Sequence, residues 1–265
     1  MIPKTIHYCW FGRNPKPKLA IKCIKSWKKY CPDYEIIEWN EDNFDLNSAP
    51  LYVRQAYESK KWAFVTDYVR LWAMTEFGGI YMDTDVEVVK PLDAFLHHRA
   101  FSGFENVIRI PTGIMACEKS FPLFKTFLNY YDNEEFINPD GSLNLTTNVT
   151  IITDICAKKG FAPNGQYQVV EEFALYPKDF FCPVIHFNGM CEMTENTVTI
   201  HWFAGSWLEG EEKKKKEIRE ALVKQYRQIE HKHLICTIPN RVARGILGIQ
   251  RYNALKKWIK KGEKK

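Results

Sequence analysis

Two carboxylates, Asp83 and Asp85, stand two residues apart directly after the apolar run Ile80-Tyr81-Met82. Side chains alternate faces along a strand, so an extended chain through this stretch turns both acids the same way. Paired carboxylates at the end of a strand suit a hard divalent cation, Mn²⁺ or Mg²⁺, which takes oxygen ligands and shares itself with substrate phosphates. The chemistry on offer is a metal that grips a diphosphate. A bare Asp-x-Asp is also an ordinary pair of solvated acids, so the rest of the chain has to corroborate it. Far downstream, His201 ends the strand-like run Thr197-Val198-Thr199-Ile200. It is either a satisfied core histidine or a third ligand. Trp10, at the end of the first apolar run, is either core or a platform for a flat ring such as a nucleobase.

The elements that must position these residues read as alternating strands and helices. Thr5–Phe11 is an expected strand, Lys18–Tyr30 a helix stopped by Cys31-Pro32-Asp33, and Glu35–Trp39 a second strand. That order makes a βαβ unit with parallel pairing, in which ligands bind beyond the carboxyl ends of the strands. Lys61–Phe77 is a helix with an apolar stripe of Trp62, Val65, Tyr68, Val69, Trp72 and Phe77, stopped by Gly78-Gly79. Asp67 and Arg70 are neighbours on its polar face. They form a salt bridge, or they border the acid pair and meet a phosphate or sugar hydroxyl. Val86–Val89, Ala100–Glu105, Gly113–Cys117 and Gln166–Phe173 are expected strands, with the loop Pro111-Thr112-Gly113 between the second and third. Phe121–Tyr131 and Thr146–Lys158 are expected helices. Glu211–His231 reads as a long charged helix.

The chain has 265 residues and a net charge of +5, but the charge is uneven. Residues 241–265 alone carry +8, which leaves the rest at −3. This argues against a nucleic-acid-binding body and marks the tail for a separate task. Leu255, Trp258 and Ile259 ringed by lysines suit an anionic bilayer surface. No apolar run is long enough to span a membrane, and no secretory leader precedes the first strand. The eight cysteines are therefore expected as reduced thiols, and the protein as cytoplasmic, peripheral on the inner face of the plasma membrane.

Four ordered blocks carry a resemblance. They are Ile2-Pro3-Lys4-Thr5-Ile6-His7 with Trp10; Ser26-Trp27 with Trp39-Asn40; Ala63 to Arg70 with Gly78 through Asp85; and His201 through Ser206-Trp207. Together they resemble the Asp-x-Asp sugar-binding glycosyltransferases of family 32, with glucosylating toxin domains as distant relatives. The resemblance covers residues 1 to about 210 and implies an α/β fold of GT-A type there, a Rossmann-like mixed sheet flanked by helices; the charged helix and basic amphipathic tail read above make up the remaining 211–265. It implies a nucleotide-sugar donor, a uridine nucleotide favoured, together with Mn²⁺ or Mg²⁺. The anomeric configuration would be retained, and the acceptor would be a glycan or lipid-linked oligosaccharide of capsule or related surface polysaccharide. Carried over by position, Trp10 would stack on the base, and Asp67, Arg70 and Asp83 would contact the sugar and ribose. Asp85 would ligate the metal with His201 and Asp83. Ser206 and Trp207 would reach the diphosphate, and Asn148 would face the sugar. Two alternatives remain: a nucleotide-sugar-binding module without turnover, and a phosphohydrolase of the haloacid dehalogenase type, which also ends a strand in Asp-x-Asp.

Overall fold

A computed structural model describes residues 1–184, 191–205 and 214. The chain divides into two units, Met1–Leu208 and Glu209–Lys265, and the elements below belong to the first. In order they are β1 (Thr5–Cys9), α1 (Lys18–Tyr30), β2 (Glu35–Trp39), α2 (Leu51–Glu58), α3 (Trp62–Phe77), β3 (Gly79–Met82), β4 (Val86–Val88), β5 (Ala100–Gly103), β6 (Ile114–Cys117), α4 (Pro122–Asn129), α5 (Asn148–Ala157), β7 (Gln168–Val170), β8 (Phe173–Tyr176), α6 (Lys178–Phe181) and β9 (Thr199–His201). No helix among the described residues is long and apolar enough to cross a membrane.

Seven strands form one sheet in the order β2-β1-β3-β6-β5-β8-β7, and β4 pairs with β9 in a second. The large sheet is mixed. β1 runs parallel to β2 and β3, whereas β6 is antiparallel to both β3 and β5. The expected mixed sheet flanked by helices is present; the parallel pairing read from the first strand–helix–strand unit holds there, and β5 and β8 form a further parallel pair beyond the antiparallel β6.

Two core clusters cover the two faces. α2 to α5 pack on one through Tyr81, Met115 and Phe173. α1, α6 and β4 pack on the other through Ile6, Ile80, Met82 and Ile114. The central strand β3 therefore buries alternate residues on opposite faces, and all four of its residues are buried.

Several expected elements differ. The apolar stripe on α3 widens until the helix is buried nearly all round, Asp67 and Arg70 included, because helices enclose it on one side and the sheet on the other. The expected strand Gln166–Phe173 is instead part of the hairpin β7–β8, turned at Glu171 and Glu172 with φ of 45° and 65°. Two left-handed residues suit a two-residue hairpin loop, but Glu-Glu carries none of the usual glycine or asparagine signal. The extended geometry expected from Asp83 to Asp85 is also absent. β3 ends at Met82, and a turn closed by Val86 N–H on Asp83 C=O (2.9 Å) separates it from β4.

The start of β3 is pinned by His7. Its Nε2 donates to Gly78 C=O (2.8 Å) while its Nδ1 accepts from Trp39 Nε1 (3.1 Å). Burial holds this imidazole below its ordinary pKa, keeping it neutral. Gly79 sits at φ 111°, and a Cβ there would lie 2.7 Å from Thr5 O, so strands β1 and β3 leave no room for a side chain. All seven described cysteines are free thiols, and six are buried.

Candidate active site

The site is built at the carboxyl end of β3. Asp83 follows the strand, and its N–H donates to Gly113 C=O (2.8 Å), which extends the β3–β6 pairing by one bond. Its Oδ1 accepts from the buried hydroxyl of Tyr81 (2.8 Å) and lies 3.4 Å from Arg70 Nη1. Arg70 is 5% exposed, pairs with Asp67 at 3.0 Å, donates to Thr112 C=O (2.7 Å) and lies over the Tyr81 ring at 4.7 Å. Burial opposes the charge on Arg70, but Asp83, Tyr81 and Asp67 outweigh it and raise its pKa. Burial pushes the Asp67 carboxyl up to about 6, against the pull of Arg70.

Asp85 lies in the turn beyond. Its Oδ1 is 3.3 Å from His201 Nε2, and its Oδ2 accepts from Ala204 N–H (2.7 Å). Its backbone C=O accepts from Trp202 N–H (3.0 Å). Antiparallel register explains the meeting, since Val86 on β4 sits opposite His201 on β9. Burial works against both charges of the pair. The mutual attraction wins, holding Asp85 below the usual carboxylate range and His201 well above the usual imidazole value. The His201 ring also stacks on Phe203 (centroids 4.0 Å apart), and the Cys182 thiol lies beside it.

Asp83, Asp85 and His201 offer ligand atoms that all lie within 4.8 Å of one another. Two carboxylates and one imidazole form a donor set suited to a divalent cation, and the nitrogen favours Mn²⁺ over the strictly oxygen-seeking Mg²⁺. His201 Nδ1 has no hydrogen bond of good geometry. The residues present fit the metal that the sequence resemblance implies.

The other expected residues are placed as follows. Asp67 and Arg70 adjoin Asp83, as above. Asn148 is 1% exposed at the start of α5, where its Nδ2 donates to Asp67 C=O (3.0 Å) and its Oδ1 has no partner among the described residues. It braces α5 against α3, and Thr147 caps its helix. Trp10 is half-buried just past β1, its Nε1 donating to Asn14 C=O (2.6 Å) and Lys16 Nζ lying 5.6 Å from the ring centre. Ser206, Trp207, the helix expected at 211–231 except for residue 214, and the basic tail lie outside the described residues.

Sequence reading assigned no role to Tyr81, Thr112, Gly113 or the Ala204 backbone. Tyr81 had an available signal, because two residues before Asp83 on a strand is the same face. Thr112, Gly113 and Ala204 had none, because their roles depend on contacts across the fold.

Comparison with known proteins finds similarity to glycosyltransferases. Over 125 residues, 46% of this chain, it is 31% identical to inositol phosphoceramide mannosyltransferase 3 of Schizosaccharomyces pombe, and it spans about a third of that relative's length. Among solved structures, the PaToxG glycosyltransferase superposes with a TM-score of 0.46 at 20% identity, covering 60% of this chain and 70% of the other. Galactosyltransferase LgtC, solved with donor and acceptor sugar analogs, gives 0.42 at 12%, covering 83% and 95%. A family model matches residues 17–102, in which Asp83-Thr84-Asp85 is the only Asp-x-Asp. The matching model describes a glycosyltransferase sugar-binding region containing the DXD motif, and these residues are similar to it.

Proposed function

We propose that the chain is a metal-dependent glycosyltransferase. It moves a sugar from a nucleoside diphosphate donor to a glycan or lipid-linked oligosaccharide, with retention at the anomeric carbon, in surface polysaccharide assembly. The observation that carries this reading is the convergence of Asp83 and Asp85, inside the matched region, with His201 from more than a hundred residues downstream.

Asp85, His201 and Asp83 would hold Mn²⁺ or Mg²⁺. When bound, the cation supplies Lewis-acid stabilisation of the charge that builds on a departing diphosphate, worth several kcal/mol. The protein's own residues do the rest. Arg70, fixed by Asp67, Asp83 and Thr112 C=O, keeps the acids at one spacing before any ligand arrives. Asp67, held by Arg70, can accept from a sugar hydroxyl. Asp83 has Oδ1 engaged by Tyr81, so it meets a ribose or sugar hydroxyl with its other oxygen. Trp10 would offer its ring to the base, and Ser206 and Trp207 would close over the diphosphate. No separate nucleophile is assigned, and a front-face substitution assisted by the donor accounts for retention. Electrostatic preorganisation of this kind favours an oxocarbenium-like transition state.

A uridine nucleotide is favoured for the donor. The Schizosaccharomyces pombe relative is named for mannosyl transfer to inositol phosphoceramide, which adds mannose to the candidates and supports a lipid-borne acceptor. Such an acceptor would place the protein at the cytoplasmic face of the plasma membrane, with residues 241–265 on the anionic surface. Deleting them should lower partition to anionic vesicles, and unchanged partition would remove that role.

The deciding experiment is a panel of nucleotide sugars with Mn²⁺, read by thermal stabilisation and by release of nucleoside diphosphate. Release supports the transferase. Stabilisation without release would leave a binding module, and hydrolysis of simple phosphate esters would mark a phosphohydrolase.

A further inference from the structure

The loop before β6 meets the site from a side that neither acid occupies. Thr112 C=O receives Arg70, and Gly113 C=O receives the N–H of Asp83. Gly113 also lies against the imidazole of His201. A Cβ built on it would stand 2.5 Å from Cε1, 2.7 Å from Nδ1 and 3.1 Å from Nε2. No side chain tolerates such distances. Unlike Gly78 and Gly79, Gly113 does not have a positive φ. Any residue could adopt its backbone, so the missing side chain, not conformational freedom, is what the position demands. Nor is the ring free to yield without cost. Its Nε2 faces Asp85 Oδ1 at 3.3 Å, and Phe203 stacks on it from a left-handed backbone with φ 50°. A strained conformation at a bulky residue persists only where its surroundings enforce it.

We propose that Gly113 is a positioning residue, the seat that fixes the His201 ring beside Asp85 and Asp83. This rests on the metal-site reading above and adds the element that registers its two halves. The Thr112-Gly113 segment holds the α3–β3 half through Arg70 and Asp83, and it leaves a space of one methyl group's size for the histidine carried in by β9. A methyl at 113 acts through His201, by driving the imidazole off its line to Asp85.

The test is a double-mutant cycle on the full chain with Gly113→Ala, His201→Ala and the two combined. In metal-free protein, Gly113→Ala should lower Tm in the wild-type background and have no such effect once His201 is alanine. In Mn²⁺ titrations followed by electron paramagnetic resonance, Gly113→Ala should weaken binding by about tenfold or more, as loss of a ligand's supporting contact does. It should add nothing in the His201→Ala background. Equal Tm losses in both backgrounds, or unchanged Mn²⁺ affinity in Gly113→Ala, would overturn the proposal. If Gly113→Ala alone does not fold, recovery of folding in the double variant supports the seat, and failure of the double variant refutes it. Absence of Mn²⁺ binding by the wild-type protein would count against the metal reading, while the Tm cycle would still decide the role of Gly113.

Discussion

The two acids of the motif lie two residues apart and are held in opposite ways. Asp83 is fastened from inside the main sheet, by Tyr81 two residues earlier on the same strand, by Arg70 on the preceding helix and by the Gly113 carbonyl across the ladder. Asp85 is fastened from the far end of the described chain, by His201, Trp202 and Ala204. The first is set as the core of the sheet forms. The second is complete only when β9 pairs with β4. Removing a partner should therefore cost stability on the Asp83 side and ligand chemistry on the Asp85 side.

The largest contrast is expected from the acids themselves. Asp85→Asn should cost about 4 kcal/mol of transition-state stabilisation, roughly a thousandfold in kcat/KM, with Mn²⁺ binding lost. Asp83→Asn should retain more Mn²⁺ affinity. Equal loss of binding in the two variants would erase the distinction between them.

Arg70→Ala comes next in stability. It leaves Asp67 and Asp83 facing each other without their cation, and breaking such a buried pair costs about 3–5 kcal/mol. Urea denaturation measures this directly, and Arg70→Lys should rescue little because a lysine cannot make the same forked contacts. Tyr81→Phe removes one hydrogen bond to Asp83 and should cost about 1 kcal/mol in stability, with a raised KM for the donor. A change in kcat alone would argue against Tyr81 acting through donor binding.

The smallest effect concerns pH. His7 is held below its ordinary value of 6.5, so its contribution to stability is present above that pH and is lost as pH falls below it. Asp67, raised to about 6, has the opposite sign and gains as pH falls through 6. The Tm difference between wild type and His7→Gln isolates the His7 contribution, and it should shrink from pH 7 to pH 5. A constant difference would mean that His7 does not titrate between the folded and unfolded states.

Legibility in the sequence followed the range of the forces involved. The bounds of α1 and β2 coincide with those read from periodicity and from the Cys31-Pro32 stop. The helix leading through Gly78-Gly79 into an apolar strand was also plain. α2 was not foreseen, because eight residues after Pro50 carry too few turns to display a period. The turn at Asp83–Asp85 replaces the expected strand, since Thr84 carries no glycine or proline to mark it. Asp67 and Arg70 were placed on a polar face, yet both are buried. Burial of a charged pair depends on which helices pack around α3, and no local pattern states that.

By itself, the sequence determined the residue types available for chemistry and the short elements that bear them. Residue type and local periodicity act within a few residues of each position. Only the tertiary structure decided that Asp83 and Asp85 converge through a turn instead of a continued strand, that His201 reaches them through the β4–β9 pairing, and that Gly113 leaves the space its ring fills. Those outcomes depend on excluded volume and strand register between segments far apart in the chain, which exist only once the sheet has closed.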